Sequence, residues 1–231
     1  MTPGTSTRTC GAVAVLALAL AWPALAGGDH AGHGKAMAGM EGGAAHEGDH
    51  ARHLEALAEQ PTTAEAAQVK LLDLPVIDVE GRAHEFRSDV IKDRIVAINF
   101  VYTSCTTICP ILSGLFTEVQ DRLDGQLGPD VGLVSLSVDP ATDVPPRLKR
   151  YAQQLEAGPG WTFLTGKKAE MAQVLAGLGA YTLEFEEHAP MILVGDARRD
   201  VWRRLYGFPS AEDIVDEVER LVAWRQAHES S

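Results

Sequence analysis

Two cysteines separated by three residues, Cys105 and Cys109, are the side chains of this chain best suited to chemistry. They follow residues 95–102, an apolar run typical of a buried β-strand, and precede a segment with apolar residues at helical spacing. A loop between such a strand and helix lies at the helix N-terminus, where unpaired N–H groups and the helix dipole favour a thiolate. Because a thiolate is both the nucleophile of disulfide exchange and a ligand of soft metals, the pair supports either chemistry.

The spacing of the two cysteines bears on that choice. Thioredoxins and disulfide oxidoreductases have two residues between their cysteines, whereas Thr106, Thr107 and Ile108 intervene here. The longer loop permits a disulfide, and it also lets both sulfurs converge on one ion, which for two thiolates is Cu(I) or Zn(II). Structural zinc takes four ligands, and no further cysteine follows to complete a thiolate site.

The segments around the cysteines predict a thioredoxin-like α/β fold. Residues 74–86 indicate a β-hairpin with its turn at Glu80 and Gly81, and further strands are expected at 95–102, 131–138, 161–164, 191–194 and 201–206. Helical periodicity between these strands gives the order β-hairpin, βαβα, a short strand, α and ββα, which is the thioredoxin order with an inserted helix–strand segment. Asp143 is expected to cap the inserted helix, and Ser210 with Asp213 to form a capping box before the last helix.

His188 is a candidate third ligand for a metal. It precedes the strand at 191–194, and in a thioredoxin-like fold the turn before that strand lies beside the cysteine loop. The histidine also follows the acidic stretch that ends at residue 187, and composition alone favours an exposed surface position. The residues by themselves leave both interpretations open.

Charge and the N-terminal segment narrow the class of protein. The net charge of −12 argues against nucleic-acid binding, which needs a basic surface. Residues 1–26 have the layout of a secretory signal, with Arg8, an apolar run at 11–20 and small residues at 24 and 26. The run is shorter than the roughly 20 residues of a spanning helix, and a retained membrane anchor is the alternative. We therefore expect an exported, periplasmic protein that loses Cys10 when its signal is cleaved. In the alternative case the uncleaved N-terminal segment is an anchor, and it is the only contact expected with a membrane.

Between the signal and a folded domain expected at residues 66–231 lies a polar tail, residues 27–65, rich in Gly and Ala. It contains too few large apolar side chains to pack, which predicts disorder. The tail carries imidazole and thioether groups, both of which bind copper, at His30, His33, Met37, Met40, His46, His50 and His53. It is either a weak copper-binding segment or a linker of biased composition.

Four ordered motifs resemble those of the Sco (SenC-type) copper chaperones, over residues 70–228. They are Phe-Val-Tyr-Thr-Ser-Cys-Thr-Thr-Ile-Cys-Pro at 100–110, Ser-Val-Asp-Pro at 137–140 with Asp143, Trp-Thr-Phe-Leu-Thr-Gly at 161–166, and His188 followed by the strand at 191–195 and Asp196. The resemblance implies that Cys105, Cys109 and His188 bind copper, as Cu(I) or Cu(II). It also implies delivery of copper to the binuclear copper site of a cytochrome oxidase subunit, or maintenance of that site's cysteines in the reduced state.

One departure from the family pattern concerns redox chemistry. The family places a proline directly after the first cysteine, where this chain has Thr106, whose N–H is one more donor for a thiolate. The alternative function is a thiol-disulfide oxidoreductase in which Cys105 attacks and Cys109 resolves. A peroxidase of the peroxiredoxin type is disfavoured, because its Pro-x-x-x-Thr-x-x-Cys pattern precedes neither cysteine.

Overall fold

The described residues form one mixed β-sheet, and the cysteine loop follows the end of a strand inside this sheet. The computed structural model describes residues 62–105, 108–182 and 190–229. Eight strands of this part of the chain are β1 (Thr63–Ala67), β2 (Pro75–Asp78), β3 (Ala83–Glu85), β4 (Ile95–Val101), β5 (Val131–Ser137), β6 (Trp161–Thr165), β7 (Met191–Asp196) and β8 (Val201–Tyr206). They lie in the order β1-β8-β7-β4-β5-β6-β2-β3, in which β4, β5 and β6 are parallel and the other neighbours are antiparallel.

Helices cover both faces of this sheet. Those of the described residues are α1 (Ile108–Arg122), α2 (Pro145–Gln154), α3 (Lys168–Gly177) and α4 (Ala211–Glu229), together with a π-helical segment, Phe86–Ile91. One core cluster joins the sheet to α1, α2 and α4 through residues that include Phe116, Leu148 and Ile214. The other joins it to α3 and the π-helical segment through residues that include Phe86 and Met171. In the described ranges, no helix has both the length and the apolar character needed to cross a membrane.

β4 positions the cysteines, and it is buried along its whole length. Its side chains alternate between the two clusters, so that Ile95 and Ala97 pack beneath α1 and α4 while Val96 and Ile98 pack on the opposite face. Strands β5 and β7 pair with its two edges. Burial on both faces explains the nearly continuous apolar sequence, and it gives the loop after Val101 a rigid starting point.

The α/β fold predicted from the sequence is confirmed. β2 and β3 form the hairpin, and α2 with β6 forms the inserted helix–strand segment. The capping box before α4 is also confirmed, because the Ser210 N–H donates to Asp213 Oδ2 at 2.8 Å and the Asp213 N–H donates to Ser210 Oγ at 3.1 Å.

β1 places the start of the folded domain before the predicted boundary at residue 66. The strand pairs antiparallel with β8, from Thr63 opposite Tyr206 to Ala67 opposite Trp202. Its side chains are mostly exposed and are small or polar, so its sequence carries no apolar pattern from which a strand is predicted. Main-chain hydrogen bonds to β8 hold this strand in place instead. The tail therefore ends no later than residue 62, a few residues before its predicted end at residue 65. Residues 1–61, which include the predicted signal and every His and Met of the tail, lie outside the described residues.

Candidate functional site

The two cysteines lie at the junction between the end of β4 and the start of α1. The Cys105 N–H donates to the Tyr102 carbonyl at 3.1 Å, a tight turn directly after β4. Cys109 is the second residue of α1, and its N–H donates to the Cys105 sulfur at 3.3 Å. Cys105 is half-buried and Cys109 is buried, and both are in the reduced form. The predicted placement of the pair at a helix N-terminus is confirmed, and negative charge on Cys105 is stabilised by an N–H donor of α1.

The environment distinguishes the two sulfurs. Burial raises the pKa of the Cys109 thiol to about 12, and although a hydrogen bond with the Tyr102 backbone opposes this, a hydrogen bond to the Cys105 side chain and the charges of Cys105 and Asp143 add to it. Cys109 therefore keeps its proton at neutral pH. The half-buried Cys105 is the group available to attack a disulfide or to meet a soft cation first.

A buried carboxylate anchors the start of the cysteine loop. Asp143 is fully buried. Its Oδ1 accepts hydrogen bonds from the Thr103 N–H at 3.0 Å and the Thr103 hydroxyl at 2.6 Å, and its Oδ2 accepts from the Ser137 hydroxyl at 2.7 Å. Arg147 Nε donates to the same Thr103 oxygen at 2.6 Å. These bonds join the loop to the end of β5 and to α2.

The prediction that Asp143 caps the inserted helix is wrong. The N-cap of α2 is Val144, which makes no side-chain cap, and Pro145 begins the helix. The Asp143 carboxylate turns inward instead, because Thr103 and Ser137 offer it three donors. Thr103 stands 40 residues earlier in the chain, so local sequence rules did not find this partner. The only sequence signal was that Ser137 and Asp143 fall in one family-like motif.

We expect Thr103→Val to destabilise the domain by about 1–3 kcal/mol, because it removes one of the bonds to a buried carboxylate and the acceptor of Arg147 Nε. Urea unfolding of the two proteins at pH 7 measures this difference. Thr142→Val is the matched control, since the Thr142 hydroxyl makes no hydrogen bond within the described part of the chain. Equal stability of wild type and Thr103→Val would show that the anchor contributes nothing to the fold.

The structure brings together two of the three predicted site residues. His188 and Thr106 lie outside the described residues. Among the residues that are described, no group of three or more His, Cys, Asp or Glu side chains is arranged to hold a metal ion. What the described chain provides is a pair of soft sulfur donors, which is the donor set of a Cu(I) site and falls short of the four ligands of structural zinc.

Comparisons with known proteins agree with this geometry. The sequence profile of the SCO1/SenC family matches residues 76–223. A SCO1 protein homologue of Bacillus subtilis is 36% identical over 77 residues, which cover 33% of this chain and 39% of that protein. The chain thus matches well under half the length of that relative.

Solved structures share the fold over nearly their whole length. ScoI of Bradyrhizobium japonicum with copper bound is 26% identical with a TM-score of 0.52, over 64% of this chain and 96% of that one. BsSco, described as a member of the Sco family of cytochrome c oxidase assembly proteins with a disulfide switch, is 23% identical with a TM-score of 0.57, over 68% and 95% of the two chains.

Proposed function

The chain belongs to the SCO1/SenC family, and from this premise we propose that it is a periplasmic copper-binding chaperone. In this proposal Cys105, Cys109 and His188 hold one copper ion as cargo and pass it to the binuclear copper site of a cytochrome oxidase subunit. The observation that carries the proposal is the pair of sulfurs at the start of α1, linked through the Cys109 N–H at 3.3 Å. Two thiolates in this arrangement suit the softer oxidation state, Cu(I).

The topology supports His188 as the third ligand. β7 runs antiparallel to β4 with Ile192 opposite Asn99, so β7 begins at the sheet edge where β4 ends. Pro190 directly precedes β7 and therefore lies at the edge from which the cysteine loop departs. His188 comes two residues before Pro190 in the sequence.

We expect His188→Ala to weaken Cu(II) binding far more than Cu(I) binding, because two thiolates satisfy Cu(I) whereas Cu(II) gains from an imidazole. Loss of a ligand exceeds the effect of an outer-shell group, so the Cu(II) dissociation constant should rise by more than about 100-fold. Competition titrations with each ion measure the effect, and His228→Ala, at the end of α4, is the control. Equal loss for both ions, or loss for neither, would remove His188 from this role.

A second candidate function is thiol-disulfide exchange without copper transfer. The observation that favours it is the pairing of a half-buried Cys105 with a buried Cys109, the arrangement of an attacking and a resolving thiol. Under this function the chain reduces a disulfide in the client and is itself oxidised to the Cys105–Cys109 disulfide.

One experiment separates the two functions. The reduced, copper-loaded chain is mixed with the apo copper-site domain of a cytochrome oxidase, first with that domain reduced and then with its cysteines oxidised. A chaperone transfers copper to the reduced domain, and metal analysis of the two proteins after they are separated then finds the copper in that domain. An oxidoreductase reduces the oxidised domain without needing copper and transfers none. Absence of copper transfer to a reduced client would overturn the chaperone function.

We further propose that residues 1–26 direct export and that residues 27–61 form a tail that collects copper weakly. Ligands spread along a chain that does not pack must be ordered on binding, which costs conformational entropy and keeps the affinity low. A chain lacking residues 27–60 retains β1, which begins at Thr63. Such a chain should keep the tight copper site and its thermal stability, while binding less total copper when the metal is in excess.

A further inference from the structure

A cavity of about 540 Å³ lies at the opposite end of β4 from the cysteine loop. Its lining includes Arg94, which directly precedes β4, and Trp161, the first residue of β6. β4 and β6 run in the same direction, so both strands begin at this edge of the sheet. The seven residues of β4 span about 20 Å, which separates the cavity from the cysteines. The volume suits a small organic molecule, since ligand sites measure about 300–1,000 Å³.

Arg94 is a half-buried cation in the wall of this cavity. Its Nε and its Nη2 donate to the main-chain carbonyls of Ile91 and Val90, at 3.4 and 2.5 Å. Its Nη1 packs against β5 at Gly132 and has no hydrogen-bond acceptor within the described part of the chain. Burial lowers the pKa of Arg94, which means that the charged guanidinium has lost part of its hydration. A negative charge placed beside it would offset this loss.

The two carboxylates that line the cavity are engaged with other groups. Asp78 Oδ2 accepts a hydrogen bond from Arg82 Nε at 2.9 Å and lies 2.9 Å from His84 Nε2. Asp89 Oδ2 accepts from a main-chain N–H at 2.8 Å. Among the residues that the structure describes, no carboxylate lies within ion-pair distance of Arg94. The positive charge of Arg94 is therefore available to a ligand.

The rest of the lining indicates which kind of anion fits. Arg82 and Lys92 are exposed and add positive charge around the cavity, in a chain whose net charge is −12. Guanidinium and ammonium groups bind carboxylates and phosphates. Val79, Pro129 and Ala157 also line the cavity, and none of these apolar residues is fully buried. Because covering exposed apolar surface is favourable, an anion with an apolar body gains more here than a bare inorganic ion.

We propose that this cavity binds a small organic anion, a carboxylate or phosphate group carried on an apolar body, and that Arg94 holds the anionic group. The apolar body then contacts the side of the cavity that includes Val79, Pro129 and Ala157. The inference goes beyond the proposed function, because it concerns the other end of β4 and needs no copper. It assigns a ligand site to the edge of the sheet at which the parallel strands begin.

Titrations of the full chain with benzoate, phenyl phosphate and uncharged benzamide, followed by NMR, test this inference. Trp161 lines the cavity and Trp202, on β8, does not. We expect benzoate and phenyl phosphate to shift the indole N–H signal of Trp161 and leave that of Trp202 in place, while benzamide shifts neither. Phenyl phosphate should also bind more tightly than inorganic phosphate, which has no apolar body.

Two results of these titrations would contradict the inference. Equal binding of benzoate and benzamide would show that the positive charges do not select the ligand. Inorganic phosphate that bound as tightly as phenyl phosphate would show that the apolar lining contributes nothing and that the ligand is not an organic anion. Both comparisons use the wild-type chain, so they hold even where a variant of Arg94 does not fold.

Replacement of Arg94 tests its own role. Arg94→Gln should raise the dissociation constant of benzoate roughly 10- to 100-fold, the effect of one hydrogen bond to a charged group. Arg94→Lys keeps the charge and should lose less. Arg122→Gln makes the same change of charge on the exposed surface of α1 and is the matched control, with unchanged affinity. Equal affinity of Arg94→Gln and wild type would overturn the inference. Copper titrations of the same variants report on the proposed function separately.

Discussion

Tight Cu(I) binding by the reduced chain should be lost when either Cys105 or Cys109 is replaced by alanine. Each replacement leaves one thiolate in the described part of the site, and one sulfur cannot hold a soft ion against competing ligands. The loss should exceed the roughly 100-fold upper range seen when only an outer-shell partner of a metal ligand is removed. Competition with a chromophoric Cu(I) chelator under anaerobic conditions measures it, with one copper per chain expected for wild type.

Ser104→Ala is the matched control for these variants. Ser104 is an exposed neighbour of Cys105 in the same loop and carries no sulfur, so its replacement should leave Cu(I) affinity unchanged. A variant lacking both cysteines that still bound one Cu(I) tightly would show that the site lies elsewhere. Urea unfolding of each variant separates loss of the ligand from loss of the fold.

Arg225→Met should destabilise the domain by about 3–5 kcal/mol, because it leaves a buried carboxylate without its counter-charge. The Asp196 side chain is fully buried and that of Arg225 is 8% exposed. Arg225 Nε donates to Asp196 Oδ2 at 2.9 Å and its terminal nitrogen donates to Asp196 Oδ1 at 2.5 Å, while the Asp93 carbonyl accepts a further bond at 2.6 Å. The pair ties α4 to the end of β7. Urea unfolding at pH 7 measures the loss.

Arg122→Met is the control for this prediction. Its partner Glu118 is four residues away on the exposed face of α1, and such pairs contribute only about 0.3–0.5 kcal/mol. Similar stability losses in the two variants would show that burial adds nothing to the Arg225–Asp196 pair.

The same pair predicts how stability depends on pH. Burial alone would raise the pKa of Asp196, but hydrogen bonds from Arg225 and from the Arg199 and Arg198 backbone, with the Arg225 charge, outweigh it and lower the pKa below the ordinary 3.8. A lowered folded-state pKa means that this stabilisation is present above pH 3.8 and is lost as the pH falls through the folded value. The stability advantage of wild type over Asp196→Asn should therefore shrink in acid below this range. A stability difference between wild type and Asp196→Asn that stayed constant down to pH 2 would contradict the lowered pKa of Asp196.

The elements closest to the cysteines were predicted well because their signals are local. The apolar run that became β4 and the helical spacing from Leu112 to Leu123 each report burial within a few residues of chain. The sequence predicts that the residues of β1 belong to the tail, because strand pairing through the main chain does not require apolar side chains. The hydrogen bond of Asp143 with Thr103 and that of Ser113 with Tyr151 each join residues about 40 positions apart in the sequence. No local sequence pattern encodes such partners.

In the proposed copper function, the unequal exposure of Cys105 and Cys109 has a consequence for the order in which the two sulfurs would release the ion. Cys105 is half-buried and Cys109 is buried, so an incoming ligand of a client would approach from the Cys105 side, and we expect the Cys105 bond to be exchanged first. The Cys109 sulfur would then be released into a site where burial favours the neutral thiol. Its reprotonation would oppose return of the ion and would favour transfer to the client.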